Sequence, residues 1–485
     1  MNDPAETARR IIASFPAEAL FDTGTAPVPV TASVTAGAAA SATAAAPHRF
    51  SPEPFLLPPS IAGELERQGV LWLKFLKALN SLYLASTRGD APAFVAEYLD
   101  AGKPRRVVDF SRMNRFRSQY PMVLRPDLLL TDEGLAACEL DSIPGGIGLT
   151  AALNRAYAAE GFAPVGGAEG MERGFAAALA ASAGKPSPAL AVVVSDESRM
   201  YRPEMRYLCR RLNELGGSAR CVDPGQVTTG PEGITVAGGR DAARPDVVYR
   251  FFELFDLPNV PGGEAILEAA KLKRVLLTPP PKAHLEEKLS FALLHHPVLA
   301  PEWERELGAA DFAALKAIVI PTWVMDPRPL PPHASIAGFT AAGRAVQSWE
   351  ALGALSQRER AFVIKPSGFS ALAWGSHGVR FGGDMPQTEW KEAVREALGS
   401  FASGPQVIQP WRRASISAVR YWDPVREEVR TMEGRVRLCP YYFVTSPERT
   451  VLGGVLATIC PADKKAIHGM PDAIMVPCVY DAGRG

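Results

Sequence analysis

The chain has 485 residues, and its 52 lysines and arginines are balanced by 52 aspartates and glutamates, so the formal net charge is zero. This length predicts roughly three domains' worth of chain, and the balanced charge disfavours nucleic acid or an anionic membrane surface as a partner. The six cysteines are scattered singly, which disfavours a disulfide scaffold or a paired-cysteine metal site and favours a reducing, cytoplasmic location.

The first part of the chain predicts one long helix. No apolar run is long enough for a membrane span or for the core of a signal peptide. Residues 23–47 are mostly small side chains that bury too little surface to offset the entropy of ordering, and we expect residues 1–50 to form a flexible tail. Residues 51–186 form the first structured unit. Within it, helical spacing of apolar residues predicts a core-facing helix from Ile61 to Ser86, and Arg106 to Phe110 predicts a strand.

Residues 121–148 predict a β-hairpin. The turn Asp132–Gly134 ends in glycine, which suits a type I turn closed by a left-handed residue, and such a loop pairs Thr131 with Leu135. Because side chains alternate along a strand, one face of this hairpin is apolar and is expected to be buried. That face carries Leu124, Leu128, Leu130, Cys138 and Leu140.

The same register brings four charged residues to the other face. Asp127 lies opposite Glu139, and Arg125 lies opposite Asp141. Two carboxylates that face each other across a ladder repel, so we expect a cation among the three acids, and oxygen-only ligands favour magnesium. The alternative is an ordinary solvated strand face. The apolar opposite face and the glycine-rich segment at 144–148 favour the metal site.

Residues 187–275 predict a small doubly wound α/β unit. Leu190 to Val194 is a short apolar strand, Glu204 to Leu215 is an amphipathic helix, and Asp246 to Phe252 supplies a later strand. The loop after the first strand has no glycine-rich fingerprint, which disfavours NAD or FAD binding there. The unit is therefore predicted to have a structural role.

The last unit, residues 276–485, begins with a segment of helical spacing from Lys282 to His296. Lys282 and Lys288 lie in this segment, and either lysine could reach a phosphate group. A lysine on a helix is more often a solvated surface charge, so both interpretations stay open.

A second chemical motif follows the apolar run Phe362 to Ile364. Lys365 leaves this strand beside a small-residue loop that contains Gly368, Gly375 and Gly378. One ammonium group and several backbone N–H groups can surround phosphate oxygens. The order of lysine and glycines differs from that of a P-loop, and a surface hairpin is the alternative interpretation.

Further along, Gln409 follows a short apolar run and could read an adenine edge, although that run is equally typical of a core strand. Arg435 and Arg437 are predicted to lie in a pair of short strands. The two arginines share one face by the period of two, and either could neutralise charge on a transferring phosphoryl group or on a tetrahedral oxyanion.

Taken in order, these pieces resemble the circularly permuted ATP-grasp proteins, especially the synthetase part of the glutathionylspermidine synthase family. In that family a metal-binding strand pair precedes a small α/β subdomain, and the phosphate-binding lysine comes afterwards; here Glu139 precedes Lys365. The resemblance implies a mixed α/β, ATP-grasp-like fold. It has antiparallel sheets around a nucleotide cleft and a small doubly wound pre-ATP-grasp subdomain.

The resemblance also implies roles for individual residues. Arg125 would touch the transferred phosphate, Lys365 would bind the nucleotide phosphates and Gln409 would bind adenine. Lys288 corresponds to the lysine of a family helix. The metal would be held by Asp127, Glu139 and Asp141, the last of which stands where the family has an asparagine.

The expected activity is that of an ADP-forming C–N ligase that depends on ATP and magnesium and joins a carboxylate to an amine through an acyl phosphate. Its partners would be small molecules, without nucleic acid or membrane. Two alternatives stay open. One is a nucleotide-binding regulatory or scaffold protein whose substrate pocket has decayed, and the other is a phosphotransferase that needs no amine.

Overall fold

The computed structural model of the chain describes residues 3–16, 49–237, 243–373, 377–469 and 472–481. Its α-helices are α1 (Pro4–Ser14), α2 (Pro59–Arg88), α3 (Phe94–Asp100), α4 (Arg105–Arg112), α5 (Ile147–Ala159), α6 (Gly170–Ala183), α7 (Arg202–Glu214), α8 (Gly263–Lys271), α9 (Leu289–His295), α10 (Ala300–Leu307), α11 (Ala309–Ile318) and α12 (Gln387–Gly399).

The strands are β1 (Phe55–Leu57), β2 (Val123–Thr131), β3 (Gly134–Asp141), β4 (Ala189–Val194), β5 (Ser218–Val222), β6 (Val227–Gly230), β7 (Gly233–Val236), β8 (Val247–Phe251), β9 (Leu276–Thr278), β10 (Trp323–Val324), β11 (Thr340–Ala341), β12 (Arg344–Ala345), β13 (Phe362–Pro366), β14 (Arg380–Phe381), β15 (Gln406–Pro410), β16 (Ile416–Asp423), β17 (Glu428–Ser446), β18 (Arg449–Pro461) and β19 (Ile474–Tyr480).

The largest sheet has seven strands in the order β1-β19-β18-β17-β2-β3, with β16 also paired to β17. The strand β17 carries β18 along one edge, while β16 and then β2 share its other edge. The sequence predicts short strands around Arg435 and Arg437, and this is wrong, because both arginines lie within one strand of 19 residues. The long strand brings Arg437 beside the β2–β3 hairpin.

The other sheets are two of four strands and two hairpins, β6-β7 and β11-β12. The antiparallel sheet β10-β15-β13-β14 carries Lys365 on β13, and the parallel sheet β5-β4-β8-β9 carries α7 and α8 in its crossovers. The strand–helix–strand prediction for the second sheet is confirmed, as is the mixed α/β class. The chain leaves β4 toward β5 and later returns to β8 on the other side of β4. A cleft at the carboxyl ends of β4 and β8 follows from this reversal of strand order.

The predicted helix at Ile61–Ser86 is confirmed by α2, which begins with proline at its first turn and ends at Gly89 in the left-handed conformation. Its buried aromatic residues join the main core, where Phe75 stacks on Trp303 with ring centroids 5.6 Å apart. Among the described residues, no helix is both long enough and apolar enough to cross a bilayer.

Two of the sequence predictions in the first 112 residues are wrong. The segment Arg106–Phe110 lies in α4 rather than in a strand, because Val107, Phe110 and Ser111 are buried at helical spacing. The predicted tail 1–50 contains α1, which is capped by Asp3 and buries Ile11 completely. Residues 17–48 lie outside the described part, and the boundaries predicted for the domains remain predictions.

The predicted helix from Lys282 to His296 is only partly correct. The α-helix α9 starts at Leu289 and follows a short 3-10 turn, Ala283–Leu285. The residues before Leu289 make tertiary contacts instead. The buried His284 ring is hydrogen-bonded to Asn80, and its centroid lies 4.1 Å from that of the Tyr83 ring. Tertiary contacts have overridden the helical spacing here.

Lys282 is not a solvated surface charge, and its ammonium group is engaged by backbone carbonyl groups rather than free to reach a phosphate. Its ammonium group is buried and donates to the carbonyl oxygens of Arg117 and Gln119 at 2.9 and 2.8 Å. Burial lowers the pKa of Lys282 to about 7. Lys282 therefore connects the segment before α9 to the loop before β2.

This burial predicts a pH dependence of stability. Between the lowered pKa of Lys282 and the usual lysine value of about 10.4, the unfolded chain binds a proton at this position that the folded chain does not. The free energy of unfolding should therefore gain up to about 1.4 kcal/mol per pH unit from this group as pH rises through that interval. The gain is lost as pH falls.

The K282M variant should lack this slope in urea unfolding series, whereas the exposed Lys271→Met control should keep it. If the free energy of unfolding changed equally with pH in the wild-type protein and in K282M, the lowered pKa of Lys282 would be contradicted.

Candidate active site

The β2–β3 hairpin places the predicted acids as expected, but by a different turn. Thr131 pairs with Gly134 rather than with Leu135, so the turn has two residues. A bulge then shifts the register between Asp127 and Leu128, and it restores the pairs Asp127 with Glu139 and Arg125 with Asp141. One extra residue on a strand moves every later side chain of that strand to the opposite face of the sheet. Cys138 occupies the bulge and does not belong to the buried apolar ladder.

Asp127 is fully buried, and its two carboxylate oxygens hold two arginines. Oδ1 lies 3.0 Å from Nε of Arg125, and Oδ2 accepts from Nη1 of Arg437 at 2.7 Å. The Cys439 thiol also lies 3.4 Å from Oδ1. The charge-assisted hydrogen bond from Arg437 and the ion pair with Arg125 hold both guanidinium groups beside Asp127.

Glu139 and Asp141 each keep one oxygen free. Oε2 of Glu139 lies 3.2 Å from the ammonium of Lys288, and Oδ2 of Asp141 is paired with Arg125. Neither Oε1 of Glu139 nor Oδ1 of Asp141 has a partner among the described residues. One oxygen from each of the three acids lies within 4.8 Å of the others. The cluster therefore offers a set of hard oxygen ligands.

Electrostatics distinguish the two partly exposed acids. Burial alone would raise the pKa of Glu139, but the ammonium groups of Lys288 and Lys365 outweigh burial and hold it below its usual range. Burial raises the pKa of Asp141 to about 6. The charge of Arg125 opposes this rise, whereas the charges of Glu139 and Asp127 add to it. Of these two acids, Glu139 is therefore the one whose ionised form its neighbours favour more strongly.

The protein's own cations alter the sequence argument for a metal. Repulsion between the acids was expected to require an ion, yet Arg125, Arg437 and Lys288 already lie among them. Their positive charge makes the three carboxylates tolerable without a metal. A divalent ion is therefore permitted by the two free oxygens rather than required by repulsion.

Lys365 and Lys288 reach the same place from different elements. Lys365 lies on β13, and its ammonium makes no hydrogen bond or ion pair within the described residues. Lys288 donates to the carbonyl oxygen of Ala373 at 2.7 Å as well as contacting Glu139. The loop after β13 thus lies against Lys288. Gly375 of the predicted phosphate loop lies outside the described residues.

The glycines of this loop that can be described are required by close packing. A Cβ atom on Gly368 would lie 2.6 Å from the carbonyl oxygen of Glu286, and one on Gly378 would lie 2.5 Å from Cγ of Pro366. Contacts this short exclude any larger side chain without backbone movement. These glycines shape the loop, and their contact with a nucleotide stays a prediction.

The acids lie where two arms of a cleft meet. The larger arm, about 530 Å³, runs past Asp141 to the carboxyl ends of β4 and β8, where Tyr201 and Glu253 line it. The smaller arm, about 110 Å³, is lined by Lys365, Val363, Gln409 and Trp411. Four residues line both arms: Glu139, Lys288, Ala373 and Arg437.

Gln409 and Arg435 line the smaller arm but are already engaged. The amide nitrogen of Gln409 donates to Oγ1 of Thr322 at 2.9 Å, and its contact with adenine stays a prediction. Arg435 donates to the carbonyl oxygens of Ala462 and Ala414 at 2.8 and 2.9 Å. Arg435 therefore holds the segments just before β16 and just after β18, and of these two arginines only Arg437 contacts the acids.

Two acids of the cleft, Glu253 and Glu286, were not identified from the sequence. Glu253 follows β8, and Glu286 precedes α9. Burial together with the charge of Glu286 raises the pKa of Glu253 to about 8. Glu286 is paired with the fully buried Arg250. The one available signal was the position of Glu253 just after a predicted strand of a doubly wound sheet.

Comparisons with known proteins support the fold. No family model and no curated protein sequence matches the chain. A glutathione synthetase-like effector from Globodera pallida superposes with a TM-score of 0.54 at 11% identity, covering 99% of this chain and 98% of the other. The chain thus has a mixed α/β, ATP-grasp-like fold, and the permuted order of its parts stays a prediction.

Two further solved structures are more distant. A candidate gamma-glutamylcysteine synthetase from Methylobacillus flagellatus has a TM-score of 0.39 at 10% identity, covering 78% of this chain and 85% of the other. The D-cycloserine synthetase DcsG has a TM-score of 0.29 at 16% identity, covering 60% and 90%.

Proposed function

We propose that the chain is an ATP-dependent ligase that joins a carboxylate to an amine through an acyl phosphate and releases ADP. One observation carries the proposal: cationic side chains and free carboxylate oxygens converge where the two arms of the cleft meet. A cleft of this kind suits a polyanion with a divalent ion on one side and a second substrate on the other. The names of the similar structures, all of them synthetases or synthetase-like, agree with this class.

The donor set fits magnesium. Free oxygens on Glu139 and Asp141 are hard ligands of the kind magnesium prefers, and Asp127 would support them by orienting Arg125 and Arg437. When bound, the metal would neutralise charge on the ATP phosphates. The side chains proposed to touch those phosphates directly are Lys365, Lys288 and Arg437.

The chemistry then follows from positions in the cleft. ATP would lie in the smaller arm with its γ-phosphate at the acids, and the carboxylate substrate would enter through the larger arm. A carboxylate oxygen attacks the γ-phosphorus and ADP leaves, after which the amine attacks the acyl carbon and inorganic phosphate leaves. Arg437 and Arg125 would stabilise the charge that develops. Glu253 lines the larger arm, and we propose that it takes the proton that the amine loses.

The proposal predicts that hydroxylamine will trap an acyl hydroxamate. The protein would be incubated with ATP, magnesium and a panel of amino acids, short peptides and other carboxylates, with and without hydroxylamine. A hydroxamate formed in step with ADP is the expected result, because hydroxylamine replaces the amine at the acyl phosphate. Release of a phosphorylated product that hydroxylamine cannot intercept would favour a phosphotransferase, and tight ATP binding without turnover across the panel would favour a regulatory protein.

A further inference from the structure

The turn from Gly145 to Gly148 begins α5 and forms one wall of the larger arm, and it has no room for a side chain at any of its three glycines. A Cβ atom on Gly145 would lie 2.3 Å from the Tyr201 ring, and one on Gly148 would lie 2.1 Å from the carbonyl oxygen of Glu204. Gly146 has a φ of +87°, and its Cβ would lie 2.4 Å from the Tyr441 hydroxyl. The backbone therefore has one available path here.

Glu204 completes this turn from the first turn of α7. Its side chain is fully buried, and its two oxygens accept from the N–H groups of Gly146 at 2.7 Å and Leu149 at 3.0 Å. These are donors that the start of a helix leaves without partners, and a carboxylate there also interacts favourably with the helix dipole. The amino end of α5 is thus closed by the protein's own carboxylate.

The far side of the same turn holds the candidate active site. The carbonyl oxygen of Gly145 accepts from Nη1 of Arg125 at 3.1 Å and from the Tyr441 hydroxyl at 2.7 Å. Arg125 in turn pairs with both Asp127 and Asp141. A continuous path of polar contacts therefore runs from Glu204 through the turn to the acids.

We propose that Glu204 is a positioning residue of the active site: by fixing the Gly145–Gly148 turn it places the Gly145 carbonyl oxygen, which orients Arg125 and hence the carboxylate of Asp141. The inference rests on the proposed function, since it assigns Glu204 a role at that same site. Without the Glu204 carboxylate, two buried N–H groups lose their acceptors, so the turn must shift or admit water. Arg125 then loses the carbonyl that fixes its guanidinium plane.

Binding of Mn²⁺, a spectroscopic substitute for magnesium, tests this role independently of turnover. The E204Q and Tyr441→Phe variants should each weaken Mn²⁺ binding about tenfold, the lower end of what outer contacts of a metal site typically contribute. The matched control is Glu172→Gln, because Glu172 is equally buried but pairs with Arg211 on α7. That variant should change Mn²⁺ affinity less than twofold.

A second arm separates positioning from a general loss of structure. In E204A, formate can occupy the space of the missing carboxylate and should restore Mn²⁺ affinity, whereas chloride at equal ionic strength should not. Should E204Q fail to fold, Y441F carries the test, since it removes only one hydroxyl from the other side of the turn. A folded E204Q protein with wild-type Mn²⁺ affinity overturns the positioning role alone. Absence of Mn²⁺ binding by the wild-type protein overturns the proposed function and this role together.

Discussion

The variant Glu139→Gln is expected to lower the rate of ATP turnover by about a hundredfold or more, because it removes a charged oxygen ligand while keeping the side chain's size. Glu139 is the acid that lines both arms of the cleft, and one of its carboxylate oxygens lies beside Lys288 while the other is free. Loss of its charge should also weaken Mn²⁺ binding. Both quantities can be measured on the folded protein by phosphate release and by Mn²⁺ titration.

The control for this variant lies on the same hairpin. Glu133 is in the turn, its side chain is 83% exposed, and its nearest cationic partner is Arg412 at 3.6 Å. Glu133→Gln should leave both turnover and Mn²⁺ affinity unchanged. An E139Q protein that binds Mn²⁺ and turns over ATP like the wild type would refute the metal assignment.

The second large effect is expected on stability, at the ion pair between Lys103 and Glu287. The charged atoms are 2.5 Å apart, and each side chain is only 2% exposed. Glu287 also accepts a hydrogen bond from the hydroxyl of Ser367, next to the loop that follows Lys365. The variant Lys103→Met should reduce the free energy of unfolding by about 3–5 kcal/mol, because it leaves a carboxylate buried without its cation.

A double-mutant comparison separates the ion pair from packing. K103M combined with Glu287→Leu should recover much of the lost stability, since a buried pair replaced by apolar groups is often close to neutral. The exposed pair of Arg106 and Glu268 provides the contrast, and Arg106→Met should cost less than about 1 kcal/mol. Urea unfolding measures all of these variants. Equal losses at Lys103 and Arg106 would show that burial does not control the pair.

The acidic hairpin illustrates what sequence pattern can predict. Alternation with period two and a glycine-containing turn were sufficient to place Asp127 opposite Glu139 and Arg125 opposite Asp141. The predicted three-residue turn was wrong, since a two-residue turn and a bulge at Cys138 together produce the predicted pairs. A bulge depends on neighbouring strands, and the local pattern of β2 and β3 does not encode it.

Contacts between distant parts of the chain could not be predicted. Glu204 accepts a hydrogen bond from Gly146, which lies just before α5 and 58 residues earlier in the chain. Lys103 pairs with Glu287 because the segment before α4 packs against the segment before α9. Neither residue stands out in composition or spacing. Each is recognisable only when the fold shows a carboxylate buried beside specific donors, because burial of charge is a tertiary property.

The arginines show the same limit from the opposite direction. The sequence analysis treated Arg435 and Arg437 as equivalent because they share a strand face, and both line the smaller arm of the cleft. Only the partners distinguish them: Arg435 bonds backbone carbonyls, whereas Arg437 bonds Asp127. Strand periodicity gives the direction of a side chain, while its role depends on what the neighbouring strands place there.

The most direct test of the central claim is identification of the nucleotide product by phosphorus NMR, with the protein, ATP and magnesium incubated with mixed carboxylates and amines. Transfer of the γ-phosphoryl group at the acids predicts ADP and inorganic phosphate, formed only when both a carboxylate and an amine are present. AMP with pyrophosphate would contradict the account, because it would place the attack at the α-phosphorus.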